Sequence, residues 1–304
     1  MSHPAHTLVT ASLVADALAL PAHWVYDPAA IAARWGRLIE LEAPPADSYH
    51  AGQLRGGQTH YGLQALLLLE AVADAGGRFD ARAWAEAWQG CWAGDPGAYA
   101  DGATRQTLAN MAAGADWLEA GSGSSDWGGA ARLAGVVAAT LDRSEEEAVG
   151  VAMAQTDVTH RDPVVIEAAA FWMRAVRAAA AGAPVAEALA RAASAGYEVL
   201  PAGAMLAQAQ EAAKLGAVAA VAALGPACGV AGALPSTMAL ALAHAGDLEG
   251  ALIANVMAGG DSAARGLALG LLLGAAPGAE VPARWLAAWG ARPRVEVALA
   301  RLVG

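Results

Sequence analysis

Apolar residues recur along this chain at the three- and four-residue spacing of helices almost from end to end. The pattern predicts helices over roughly residues 5–20, 62–76, 80–92, 102–113, 126–141, 144–155 and 163–181. Further helices are expected over roughly 184–199, 205–224, 236–245, 247–258, 262–275, 281–290 and 293–303. Several starts carry capping signals: Ser144 with Glu147 three residues on, Asp80 before Ala81, and Pro282 early in its helix. Connections are short except for 36–61, which holds Pro44-Pro45 and Gly56-Gly57. A long loop inside a compact helical domain is usually functional or disordered. No period of solenoid length and no linker-like run divides the chain, so one all-α multi-helix domain over residues 1–304 is expected.

Composition strengthens that reading. Of the 304 residues 57% are hydrophobic and only 15% charged, enough for an extensive core. Alanine and leucine dominate, while the sheet-forming isoleucine, phenylalanine and tyrosine are scarce. The formal charge of −11 leaves no basic face for general nucleic-acid binding, although a nucleotide-sized ligand needs only one or two local donors. Cys91 and Cys228 are too few for a disulfide framework and lack metal-type spacing; they read as buried free thiols in a reducing cytoplasm. The start, Met1-Ser2-His3-Pro4-Ala5-His6, has no basic region before a long apolar run, which argues against a signal peptide. Residues 215–246 carry no Asp, Glu, Lys or Arg and are long enough to span a bilayer. Gly225-Pro226, Gly229, Gly232 and Pro235 interrupt them, so two buried helices joined by a loop fit better. A soluble monomer is the expectation.

Five polar clusters interrupt this apolar background. Asp16 stands inside an otherwise apolar helix, and Trp24 and Tyr26 follow it; a structural hydrogen bond and a site role are equally plausible for the acid. His60, after Gly56-Gly57-Gln58-Thr59, opens a helix whose free amides suit an anion; it is an acid/base group or a capping donor. Small residues around Ser124, Ser125, Gly128 and Gly129, followed by Arg132, allow close approach to a ligand or mark a flexible loop. His160 lies in Thr159-His160-Arg161-Asp162-Pro163, where it or Asp162 serves the site or merely caps a helix. Last, Gly259-Gly260-Asp261 turns sharply into a helix, with Arg265 four residues on and able to pair with Asp261.

Together these clusters resemble, in order and spacing, the ADP-ribosylglycohydrolase family. Asp16-Ala17-Leu18-x-x-Pro21 resembles its "GDALGxP" motif, and Gln58-Thr59-His60-Tyr61 falls where the family has Thr-Asp-Asp. The 124–132 loop resembles "GNGAAMR", and 159–163 its histidine-containing start of a helix. Gly259-Gly260-Asp261-Ser262-Ala263-Ala264 resembles "GGDTDT", and Val281-Pro282-x-x-Trp285 the closing "IPxxW". The resemblance implies an all-α fold with a cleft holding two magnesium ions that orient ribose hydroxyls for hydrolysis at the anomeric carbon. Thr59 and Asp261 keep metal-ligand positions, whereas His60, Tyr61, Ala263 and Ala264 replace the others. Magnesium demands hard oxygen ligands, so the binuclear site is expected to be weakened or absent.

In its place the Arg265 guanidinium would take over the cation's electrostatic role. Asp261 or Asp16 would then be the base and His60 the donor. Ser124, Ser125, Gly128, Gly129, Arg132, His160, Trp24 and Tyr26 would line the substrate, the two aromatic rings either stacking on an adenine or packing in the core. Three readings follow: a hydrolase of an ADP-ribosyl or related glycosidic bond, a binder of such nucleotides without turnover, and a structural scaffold. The expected partner is a small molecule or an ADP-ribosylated substrate.

Overall fold

Asp16 is the only charged residue in the first helix apart from a histidine near its start, so that helix is stable only inside the protein. The computed structural model describes residues 4–303, and side chains through 302. Met1–His3, which bear on the signal-peptide reading, lie outside the described residues. Among the described residues the order begins α1 (Pro4–Ala19), α2 (Pro28–Trp35), α3 (His60–Asp74), α4 (Ala81–Ala93), α5 (Gly102–Ala112) and α6 (Gly128–Ala131). It continues α7 (Ala134–Thr140), α8 (Glu145–Asp157), α9 (Pro163–Ala180), α10 (Val185–Ala193), α11 (Ala202–Ala212) and α12 (Ala217–Leu224). The last are α13 (Val230–Ala243), α14 (Leu248–Met257), α15 (Ser262–Gly274), α16 (Ala283–Ala288) and α17 (Arg292–Val303). No strand occurs among the described residues; two isolated bridges, Ser122 with His160 and Asp126 with Gly229, fasten loops to each other.

α1 and α15 form the centre, and every residue of α15 is buried. Gly266, Gly270 and Gly274, four apart, bring α15 onto α1: a Cβ would sit 3.2 Å from the Ala15 carbonyl oxygen at Gly266, collide with that of Ala11 at Gly270, and lie 2.6 Å from the Ala11 Cβ at Gly274. The Ser12 hydroxyl donates across this seam to the Leu267 carbonyl at 2.8 Å. Helices α3, α7, α9, α13, α14 and α17 surround the pair, and α8, α10 and α11 pack outside them. Because α1 ends at Ala19 and α15 begins at Ser262, the seam sets Asp16 and Asp261 in the same buried region.

Ser144 and Asp80 cap their helices as their sequence signals indicate, on the amides of Glu147 and Ala83. Four differences have local causes. The helix expected over 126–141 is two, because Arg132 leaves helical geometry as its guanidinium turns into a buried network. That expected over 205–224 breaks around Gly216. The uncharged 215–246 stretch does contain two helices joined by a loop, but only α13 is buried; α12 buries just Ala220 and Val221 and leaves most of its surface open. α13 also begins earlier than expected, at Val230, and runs through Pro235. The unexpected α2 follows Asp27-Pro28, where the Asp27 carboxylate caps the Ala29 amide. No helix among the described residues is long and apolar enough to cross a membrane.

Gly150 lies exposed inside α8, with nothing near the position of a Cβ. Gly150→Ala is therefore expected to gain up to about 1 kcal/mol from helix propensity, read as a rise in the thermal midpoint.

Candidate functional site

Asp16 is fully buried, and every acceptor contact it makes goes to the start of α3. It accepts the Thr59 amide at 2.8 Å, the Thr59 hydroxyl at 2.5 Å and the Gly62 amide at 3.1 Å. Burial pushes its carboxyl up to about 6, against these donors. Thr59, in turn, caps α3 on the Tyr61 amide at 3.1 Å. The residue pair thus fixes where His60 and Tyr61 point.

The turn before α15 presents Asp261. Gly259 and Gly260 have φ of +74° and +71°, and side chains there would strike the backbone of Val25 and Pro226. Asp261 caps the Ala264 amide at 3.3 Å through Oδ1 and accepts the Trp24 indole N–H at 3.4 Å through Oδ2. Trp24 has φ +66°, a conformation L side chains seldom adopt, held by its amide on the Gly260 carbonyl at 2.9 Å. Strain of this kind concentrates at functional sites.

Between Asp261 and Asp126 lies the Tyr61 hydroxyl, 3.1 Å from Asp261 Oδ2 and 2.8 Å from Asp126 Oδ2. A phenol has one proton to give, so two carboxylates facing it are satisfied only when one of them is itself protonated. Burial and then the neighbouring Asp261 charge push Asp126 up to about 7, and burial raises Asp261 as well. Below about pH 7 Asp126 therefore holds that proton itself. Asp126 Oδ1 accepts the Gly128 amide at 2.6 Å, and Cys228 lies alongside, its thiol pushed up to about 12 by burial and the two acids.

Around this acid pair stand His23, His50 and His60, all buried. Burial holds His50 down to about 3 and His23 well below its ordinary value. His60 Nε2 is 3.3 Å from Asp101 Oδ2; burial would raise Asp101, but contact with His60 outweighs it and keeps the acid below the usual carboxylate range. Outside them Trp24, Tyr49 and Tyr99 meet edge to face with centroids 5.1–5.3 Å apart, Tyr49 exposed. Tyr26 is also exposed.

The residues singled out in the sequence divide into two groups. Asp16, Thr59, His60, Trp24 and Asp261 come together. Arg132 instead serves the interior: it is buried, donates to Gln155, Gln64 and Thr159, and packs over Trp84. The Thr159 hydroxyl, filled by Arg132 as donor, faces His160 Nδ1 at 2.8 Å. Gly128 and Gly129 leave room for the Tyr61 and His160 rings. Ser124 accepts the Asp126 amide at 3.2 Å, and the exposed Ser125 accepts Val230 through its carbonyl. Asp162 caps α9.

The expected Arg265–Asp261 pair does not form among the described ion pairs. Asp261 turns back onto its own helix, while Arg265 donates to Asn255 Oδ1 at 3.1 Å and to the carbonyls of Pro226, Asn255 and Gly259. Arg265 is a clamp on the turn. The cysteines are free but half-buried rather than buried.

An octahedral oxygen cage for magnesium does not fit this donor set. Asp16 is saturated by α3, Asp126 is taken by the Gly128 amide and Tyr61, Asp261 Oδ2 by Tyr61 and Trp24, and Ala263 and Ala264 offer no oxygen. Sequence reading missed Tyr61, Asp126, Asp101, His23, His50 and Cys228 as site components. For His50 the signal was the long loop; for Asp101, indistinguishable from an ordinary helix cap, there was none.

The family described as ADP-ribosylglycohydrolase matches residues 5–304. A solved structure titled "ADP-ribosylglycohydrolase-related protein complex" is similar with a TM-score of 0.74 at 23% identity, over 98% of this chain and 96% of that one. No curated protein matches in sequence. With the match running over nearly its whole length, the chain belongs to the ADP-ribosylglycohydrolase family.

Proposed function

We propose that the chain hydrolyses an ADP-ribosyl or related glycosidic bond, with Asp126 and Asp261 carrying the proton chemistry in place of a binuclear magnesium centre. The observation that carries this is the Tyr61 hydroxyl between two buried carboxylates. At neutral pH one carboxyl keeps its proton and the other is ionised, the division of labour that acid–base hydrolysis requires. The ionised partner takes a proton from water as its oxygen attacks the anomeric carbon; the protonated partner gives its own to the departing nitrogen or oxygen. Trp24, Tyr26, Tyr49 and Tyr99 border the acids with ring faces suited to an adenine. The half-buried free thiols accord with a reducing compartment such as the cytoplasm.

Calorimetry with ADP-ribose, with and without magnesium, followed by turnover of ADP-ribosyl-arginine, tests this reading. Magnesium-indifferent binding with hydrolysis is the expected result. Binding without turnover would make the chain a nucleotide receptor, a strict magnesium requirement would return the work to the metal, and absence of binding would remove the ribosyl site altogether.

A further inference from the structure

Three histidine rings from separate segments meet beside the acid pair: His23 after α1, His50 from the long loop and His60 in the first turn of α3. One ring nitrogen of each lies within 4.8 Å of those of the other two. Nε2 of His23, Nε2 of His50 and Nδ1 of His60 are buried without a hydrogen-bond partner. A single orphaned polar atom costs a few kcal/mol, and several orphans converging on one point share one remedy. We propose that His23, His50 and His60 form a site for a single divalent transition-metal cation of the zinc type, with three imidazole ligands and a fourth position open.

The donor chemistry selects the ion. Neutral imidazole suits zinc, cobalt, iron and copper, whereas magnesium and calcium want oxygen. Burial keeps His23 and His50 uncharged at neutral pH, the form that coordinates. At a zinc–nitrogen distance of about 2.1 Å the three nitrogens would stand roughly 3.4 Å apart, so the rings need to close inward by at most about 1 Å. Two acids are placed to support the ligands from behind. Asp101 Oδ2, 3.3 Å from His60 Nε2, would fix that ring to coordinate through Nδ1, the carboxylate–histidine–metal arrangement. Asp261 Oδ1 lies 3.8 Å from His23 Nδ1. That Nδ1 now accepts the Ala263 amide at 3.3 Å, so coordination through Nε2 requires the ring proton to move to Nδ1 and turn to Asp261. The site thus goes beyond the hydrolase reading and stands on the rings alone.

The test is metal binding by the full chain, stripped with chelator and titrated with zinc or cobalt by calorimetry and visible absorption. One ion per chain is expected, with the intense visible bands of four-coordinate cobalt and no response to magnesium in the same range. His50→Gln and His60→Gln should each weaken zinc by more than about a hundredfold and Asp101→Asn by about tenfold or more. His244→Ala, outside the cluster, should change nothing. Three results would overturn the proposal: a folded wild-type chain that binds neither ion, binding undiminished in folded His50→Gln, or a thiolate-to-cobalt charge-transfer band. The last would move the ion to Asp126, Cys228 and Asp261, and it is read on the wild-type protein whatever the variants do. Because no glycosidic substrate enters these measurements, failure of the hydrolase reading leaves their outcome untouched.

Discussion

Asp126→Asn is expected to leave a protein that melts higher at pH 8 and turns over substrate far more slowly. The two effects share one cause. Asparagine keeps the shape of the carboxyl, accepts the Gly128 amide through its oxygen and donates to the Tyr61 hydroxyl through its nitrogen. Tyr61 then gives its own proton to Asp261, and the chain of hydrogen bonds closes without a borrowed proton. The cost of a second ionised carboxyl in the interior disappears. With Asp126 at about 7 against 3.8 in the unfolded chain, that relief is on the order of 4 kcal/mol at pH 8. It amounts to roughly 5–10 °C in thermal midpoint. Turnover should fall by about 10²–10⁴-fold, the usual loss when an acid–base group is removed. A variant that is no more stable and fully active would show that Asp126 is neither strained nor chemical.

The pH dependence gives this prediction a second, sharper form. A carboxyl whose folded pKa is raised favours the fold below its unfolded value, and the advantage is lost as pH rises through the folded one. The stability difference between variant and wild type should therefore be largest at pH 8, shrink through the range from about 7 to 4, and vanish below that. Histidines act oppositely. His50 and His160, each held at about 3, favour the fold fully above 6.5 and lose that contribution as pH falls towards 3. In the wild-type chain the acids and histidines offset each other across mildly acidic pH. Asp126→Asn exposes the histidine limb, so its melting temperature should drop more steeply between pH 7 and 5 than that of the parent.

The difference between what the sequence disclosed and what it hid follows from the range of the forces involved. Helices such as α9 and α15 were legible because their caps and apolar spacing are local properties of the chain. Asp16, Thr59 and Asp261 were legible because a charge or a turn in an alanine-rich setting stands out, and because the family's motifs pass through them. The partnership of Tyr61 with Asp126 joins residues 65 positions apart, and no spacing rule reaches that far. Arg265 shows the opposite error. Four-residue spacing from Asp261 suggested a pair, yet an acid at a helix cap turns back to the free amides, and the arginine finds carbonyls instead. Arg132 failed in the same way: a charge near a glycine-rich loop looked like a ligand contact, but Gln155, Gln64 and Thr159 claim it.

Gly270→Ala should damage both the fold and the site, although alanine is the better helix former by up to about 1 kcal/mol. The added methyl group would collide with the Ala11 carbonyl oxygen and lie 3.0 Å from the Ser12 Cα, and backbone atoms in the middle of a buried helix cannot swing aside. Relief requires α15 to move off α1, opening the Ser12–Leu267 hydrogen bond. A net loss of about 3 kcal/mol is expected, at the upper end of ordinary overpacking. The same displacement carries Asp261 away from Tyr61 and Asp16 at the far end of the seam, so affinity for ADP-ribose should fall even in the fraction that remains folded. Pairing the change with Gly150→Ala separates the two consequences. Gly150 lies on α8, outside the seam, and distant substitutions add in stability. The double variant should recover part of the lost melting temperature and none of the lost affinity. Recovery of both would mean that the seam holds the protein together without aiming its acids.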